Sequence, residues 1–312
     1  MLEKAGQTGL SEMVAKFTYS RVVLDHKSLN YNPCDDLIFP CVIQACKYFS
    51  SPLGKYYMYY SPHNSPGGIC LAYADSLTGP WHEYARNPII RNDWSPYYSV
   101  THVSSPHALW IPEFGSLFLY FHGENSCTRY AISDDGIDFE YGGIAVTEAD
   151  FNCDSGAFYA RVFPHTIPGL NNSYIMLLMC HLSGRSAIFL AHSADGRHWQ
   201  TIRDPILLPP EGSNLHYLCS PFFLGHKGRY YIVFHGDMGD MANLSTDIYA
   251  MEVDEGLRNI KFAGKLFARE KVSRDNLRVS DPFIIREGDL HYLFCSTGSR
   301  LNQVISVATA GK

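Results

Sequence analysis

The sequence is short of charge. Asp, Glu, Lys and Arg make up 18% of its 312 residues, where soluble domains usually carry about a quarter. Its formal net charge is −6, and Lys and Arg are gathered into no block. Nucleic-acid and anionic membrane surfaces are built from such blocks, so neither partner is expected. Apolar runs of membrane-spanning length, about 18 residues, are also missing. The opening stretch MLEKAGQTGLSEMVAKF has no apolar segment of the signal-peptide kind. No secretory signal is expected from it, and a cytoplasmic location is. The nine cysteines fall at irregular intervals without a Cys-x-x-Cys. That spacing supports neither a zinc-finger-like site nor a disulfide framework, so buried free thiols in a reducing compartment are expected.

Aromatics and turn formers are plentiful instead: 21 Tyr and 18 Phe accompany 25 Gly and 17 Pro. Such a chain favours strands and tight turns over helices. Its length suits one large domain or two ordinary ones.

Internal repeats decide between these. A proline opens an apolar run five times: IFPCVIQA, SSPHALW, VFPHTI, CSPFFLG and SDPFIIR. Pro40, Pro106, Pro164, Pro221 and Pro282 are spaced by 66, 58, 57 and 61 residues, a near-constant period. Each run is followed by an aromatic one, such as GKYYMYYS, GSLFLYFH or GRYYIVFH, and then by a third apolar run. The hairpins AISDDGIDFEY and AHSADGRHWQT share Ala-x-Ser-x-Asp-Gly-x-x-aromatic, and Asp-Gly between alternating runs is a strong hairpin signal.

Four antiparallel strands repeated five times predict an all-β, five-bladed β-propeller. The whole chain, 1–312, forms one such domain, with 1–16 a short helical or frayed segment. Blades are expected near 38–92, 104–147, 162–207, 219–268 and 280–312. The last holds three strands, so 17–25 is expected to supply its fourth and close the ring, leaving no open edge.

In such a blade the innermost strand starts at the face where the second strand ends. The second-strand ends are read as Ser61, His122, His181, His235 and Cys295. Residues before the proline are Phe39, Ser105, Phe163, Ser220 and Asp281, and after it Cys41, His107, His165, Phe222 and Phe283. The mouth is therefore expected to gather His107, His122, His165, His181 and His235. Asp35, Asp36, Glu124, Asp237 and Asp281 lie near, as do Arg161 and Arg278. The loop residues His102, Tyr159, His216 and Tyr217 reach toward it.

Each imidazole has two readings. It serves a ligand, or it hydrogen-bonds neighbouring backbone and pins adjacent blades. Polar rings are costly to collect at a concave mouth unless something binds there. Neutral imidazole is also a metal ligand. A divalent ion, calcium or zinc, is compatible with this donor set, and no cofactor is demanded by it.

The five proline-led units with their hairpins, above all LAYADSLTGPWHEY (71–84) and RVSDPFIIREGDLHYLFCSTGS (278–299), resemble the five-bladed glycoside hydrolases of family 43, the arabinanases and xylosidases, and their relatives. The resemblance covers about 17–312. It implies a carbohydrate substrate and three inner-strand carboxylates: one activating water, one protonating the leaving oxygen, one tuning the acid. The chain departs from that plan. No Asp directly precedes Pro40, though Asp35 and Asp36 stand shortly before it. Val162-Phe163-Pro164 and Cys219-Ser220-Pro221 occupy the expected tuning-Asp and acid-Glu positions. Only Asp281-Pro282 keeps the Asp-Pro form. A His can replace a carboxylic acid as proton donor, since its pKa lies near neutrality.

The resemblance thus implies a hydrolase of a small sugar or glycoside with a non-standard acid–base set. Asp36 is expected to activate water, His165 or Glu124 to donate the proton, and Asp281 with Arg161 to orient the substrate. Tyr159, Tyr217 and Trp110 are expected to offer stacking faces, and His107, His122, His181, His235 and Asp237 further contacts. The guanidinium of Arg161 suits a substrate carboxylate. Two alternatives remain open: an enzyme of another class on the same scaffold, for instance a metal-assisted hydrolase, and a sugar-binding propeller without catalysis. The oligomeric state is left open.

Overall fold

Five four-stranded antiparallel sheets carry nearly all the regular structure in the computed structural model, which describes residues 17–209, 215, 217–237, 245–273 and 276–311. From the inside outward, blade one runs through Leu37–Ile43, Tyr56–Pro62, Cys70–Ala74 and the short His82–Glu83. Blade two runs through Val103–Ile111, Ser116–Gly123, Cys127–Ser133 and Glu140–Thr147. Blade three takes Ser155–Pro164, Tyr174–Leu182, Arg185–Ser193 and Gln200–Leu207, and blade four Cys219–His226, Arg229–Gly236, Asp247–Val253 and Lys261–Phe267. Blade five has Arg278–Glu287, Leu290–Ser299 and Asn302–Ala310. Its outermost strand is Thr18–Leu24, paired antiparallel with Asn302–Ala310. Each inner strand contacts the next, and that of blade five meets that of blade one. The chain is thus an all-β, five-bladed propeller closed by an N-terminal strand. The expectation for 1–16 lies outside the described residues.

Burial explains the apolar runs. The innermost strand of blade one, LIFPCVI, is buried at every position, so it cannot alternate polar and apolar residues as a one-faced sheet does. The Ser-x-Asp-Gly turns fasten neighbouring blades. In blade two, Ser133 Oγ accepts the Gly136 N–H at 2.8 Å, and the Gly136 carbonyl accepts the Tyr59 hydroxyl of blade one at 2.7 Å. Tyr120 makes the same bond to Gly196 of blade three. Gly136 has φ +76°, and a Cβ there would come within 2.8 Å of the Tyr59 oxygen, so the turn requires glycine.

Every inner strand carries a bulge, that of blade three a second one nearer its start, and the shared bulge defines which residues are equivalent. The pairings before the break are Ile38 with Ser61, Ser104 with His122, Phe158 with Met179, Cys219 with His235, and Ser280 with Ser296. The next residue has positive φ each time: Phe39 (57°), Ser105 (60°), Tyr159 (57°), Ser220 (54°) and Asp281 (54°). Non-glycine residues rarely adopt this conformation. Its fivefold recurrence marks a device of the fold that re-aims one residue per blade.

Blade three therefore departs from the expected register. Its inner strand begins at Ser155 and ends at Pro164. Tyr159-Ala160, without a proline, stands where the other blades have a residue before proline. Proline is tolerated after the bulge but not required by it, and Phe163-Pro164 imitates the pattern four residues late. His165 and His181 consequently leave the equivalence sets in which the proline spacing puts them. Blade five also moves by one residue, Ser296 standing where Cys295 was expected.

Candidate active site at the propeller mouth

At the bulged end of the inner strands lies a cavity of about 310 Å³, a size suited to a small ligand. Tyr159 and Asp281 of the positive-φ ring line it, with Met179 and His235 of the second-strand ring. His63, His181, Tyr217, Asp237, Arg278 and Arg300 are among its polar lining. A second cavity of about 220 Å³ shares His63, Asn125 and Tyr159 with it and adds His102 and His122.

Asp281 is the carboxylate most thoroughly held. Ser220 Oγ donates to its Oδ1 at 2.6 Å, and Ser296 Oγ and Ser280 Oγ to its Oδ2 at 3.0 and 3.3 Å. Burial pushes its pKa up. The His235 ring, the Ser220 hydroxyl and the Arg161 charge outweigh burial and hold it below the usual carboxylate range. It is ionised at neutral pH.

His235 is neutral. Its Nδ1 accepts the backbone N–H of Asp281 at 3.1 Å, so the ring proton sits on Nε2. The 3.6 Å approach of Nδ1 to Asp281 Oδ1 is thus no ion pair. Burial pushes the imidazole down to about 4, against the opposing pull of Asp281.

His63, which the proline pattern passes over, joins the site from the loop beyond Tyr56–Pro62. Its Nδ1 donates to Asp36 Oδ2 at 2.8 Å, and Asp36 Oδ1 accepts the Gln303 N–H at 2.8 Å. Asp36 is fully buried and lines neither cavity. It holds His63 rather than meeting a ligand itself. A carboxylate only accepts, so Nδ1 carries the proton and Nε2 is left for proton exchange.

Beneath the mouth, the residues two past the bulge form a buried layer: Cys41, His107, Arg161, Phe222 and Phe283. Arg161 is fully buried, with its guanidinium 5.0, 6.0 and 5.5 Å from the Phe39, Phe222 and Phe283 rings. Nη1 donates to the Pro40 carbonyl at 3.4 Å, while Nε and Nη2 have no hydrogen-bond partner among the described residues. Burial lowers its pKa to about 10, which leaves it cationic. His107 Nε2 donates to the Val162 carbonyl at 2.7 Å, and burial pushes the ring down to about 3. It pins blade two to blade three and lines no cavity.

The remaining expected residues divide. His181, Tyr159, Tyr217 and Asp237 line the larger cavity, and the Tyr217 N–H donates to Asp237 Oδ1 at 3.2 Å. His122 lines the smaller one, 5.5 Å from the His102 ring. Glu124 pairs with Arg129 and lines neither. His165 lies just past the far end of its strand, with Nε2 2.8 Å from the Glu255 carbonyl and its ring against Phe223 and Tyr230. The structure does not bring it to the mouth. Trp110 stacks on Tyr48 at 4.9 Å, also away from both cavities. His216 lies outside the described residues. Among the described residues, no three His, Cys, Asp or Glu side chains are grouped to hold a metal ion.

No family's sequence profile matches the chain, and no curated protein matches it in sequence. Solved structures do. A glycoside hydrolase aligns over 99% of this chain and 96% of its own, at 12% identity and a TM-score of 0.72. An α-L-arabinofuranosidase from Lactobacillus brevis aligns over 92% and 94%, at 15% identity and 0.62. One from Podospora anserina, solved with cellotriose, aligns over 95% and 97%, at 8% identity and 0.65. The chain shares the fold of the five-bladed glycoside hydrolases. At these identities the likeness is one of fold, and the propeller's chemistry rests on its own residues. All nine of its cysteines are free, Cys219 among the cavity residues.

Proposed function

We propose that the propeller is a glycosidase-like hydrolase of a small sugar or glycoside, with His63 on Asp36 and the ionised Asp281 as its reacting groups. The observation that carries this reading is their meeting in one cavity: a proton-exchanging imidazole backed by a buried carboxylate, and a second carboxylate kept charged. Glycoside cleavage needs a proton for the leaving oxygen and negative charge near the oxocarbenium-like centre or the attacking water. The imidazolium form of His63, its Nδ1–H held by Asp36, supplies the first from Nε2 and is left as the neutral ring, and Asp281 supplies the second. The rings of Tyr159 and Tyr217 offer apolar faces to a sugar. Structural relatives that are α-L-arabinofuranosidases are consistent with a carbohydrate ligand.

A second reading, sugar binding without turnover, is favoured by one observation. Of the five positive-φ positions, only Asp281 carries a carboxylate, the others being Phe39, Ser105, Tyr159 and Ser220.

A panel of aryl glycosides decides between the two. Turnover that falls by about 10²–10⁴ in Asp281→Asn supports hydrolysis. Binding of sugars without turnover of any glycoside in the panel rejects it in favour of the second reading.

A further inference from the structure

We propose that the smaller cavity holds a second, neutral sugar ring, joined to the ring in the larger cavity by the bond that His63 protonates; this rests on the reading of the mouth as a sugar pocket. The two cavities share His63, Asn125 and Tyr159. Asp281 lines the larger one alone, and the smaller adds Asn64, Ser65, His102, Ser104 and His122. At about 220 Å³ the smaller cavity falls below the usual size of a whole ligand site, about 300 Å³ or more, and suits part of a ligand.

Its walls are two loops that the fold ties together. Ser65 Oγ donates to the Thr101 carbonyl at 2.7 Å, and the Gly68 N–H to the Val103 carbonyl at 2.9 Å. Ser104 and His122 face each other across blade two just before its bulge. The smaller cavity is thus preformed over blade two, whereas the larger one reaches Asp281 of blade five. His63 stands where they meet. A proton donor faces the oxygen that bridges the two halves of a glycoside, and a carboxylate faces the ring whose anomeric carbon reacts. With Asp281 in the larger cavity, the reacting ring lies there and the leaving group in the smaller one.

The lining sets what leaves. Carboxylates and guanidiniums of both signs line the larger cavity, but among the described residues no Asp, Glu, Lys or Arg lines the smaller one. Burial pushes His102 and His122 below the ordinary imidazole range, so both rings are neutral at pH 7. An alkyl chain would strip water from these amide, hydroxyl and ring groups without replacing its hydrogen bonds. The hydroxyls of a sugar replace them, and the Tyr159 ring offers its face to the C–H groups. When the bond from the anomeric carbon breaks, its electron pair stays on the bridging oxygen. That oxygen takes the proton from His63 Nε2 and departs as a hydroxyl of the second sugar. The oxygen of water joins the anomeric carbon, and one water proton passes to Asp281, from which solvent returns it to His63.

Kinetics on xylobiose, lactose, cellobiose and maltose, beside the glycosyl fluorides of xylose, galactose and glucose, test the proposal. Fluoride is too small a leaving group to use the second cavity. His102→Ala and His122→Phe are expected to lower kcat/KM for a disaccharide about tenfold more than for the fluoride of its reacting sugar, the worth of a lost hydrogen bond. His102 is half-exposed in a loop, so His102→Ala decides alone if His122→Phe does not fold. Equal losses on both substrates, or none on either, overturn the proposal. Turnover of fluorides without turnover of any disaccharide also overturns it and leaves the hydrolase reading standing. If nothing is turned over, the hydrolase reading falls and calorimetry decides this inference. Disaccharides binding about tenfold tighter than the free monosaccharides, an advantage that His102→Ala removes, sustain the second ring. Disaccharides binding no tighter than monosaccharides overturn it.

Discussion

Nδ1 of His63 lies 2.8 Å from Oδ2 of Asp36, 27 positions away in the chain, with Asp36 wholly out of solvent. This pair turns a half-exposed imidazole into an oriented one. His63→Gln is expected to lower kcat by about 10²–10⁴ with little change in folding, since its ring reaches the cavity. An unchanged kcat in this variant removes His63 from the chemistry.

Arg161 tests the electrostatics beneath the mouth. Replacing a buried ion lacking full hydrogen bonding by an apolar residue is often neutral or stabilising. Arg161→Met should therefore unfold at an equal or higher denaturant concentration. Its charge helps keep Asp281 ionised, so the acid limb of the pH–rate profile should move to higher pH. An unmoved acid limb contradicts this coupling.

Three buried imidazoles make folding sensitive to acid. Burial pushes His107 to about 3, His235 to about 4 and His122 well below its ordinary 6.5. The unfolded chain takes up protons there as pH falls through about 6.5, while the folded chain does not. Stability from this source is complete above about pH 6.5 and is lost progressively from there down to about 3. Urea unfolding should show a clearly lower midpoint at pH 5 than at pH 7, and a midpoint equal or higher at pH 5 goes against it.

His165 is the contrasting case. It bonds the Glu255 carbonyl, lines neither cavity, and lies past the end of its strand opposite the mouth. His165→Ala should cost about 1 kcal/mol of stability and leave kcat/KM within about twofold. A large loss of activity with folding intact contradicts its placement.

The fivefold fold was legible because each blade repeats the same buried inner strand and aromatic second strand. Closure by 17–25 followed from counting strands in the last repeat. The site was legible only where proline marks the bulge, as at Asp281. In blade three the bulge falls on Tyr159-Ala160, which carries no proline, so the pattern locked onto Phe163-Pro164 and drew His165 toward the mouth. The charged Arg161, in an otherwise apolar run two residues past Tyr159, was the available signal for the true register. Asp36 was read as meeting the substrate, whereas its burial behind His63 depends on a loop path that no spacing rule encodes. His63 itself sits in SPHNSPGG, two residues beyond the second-strand end, where strand periodicity stops.

The most direct measurement is a crystal structure of the protein with a bound small sugar or an inert glycoside analogue. The account predicts density in the larger cavity, with the sugar ring between His63 and Asp281. Ligand seated on the outer blades or at the opposite end of the axis, with this cavity holding only solvent, contradicts it.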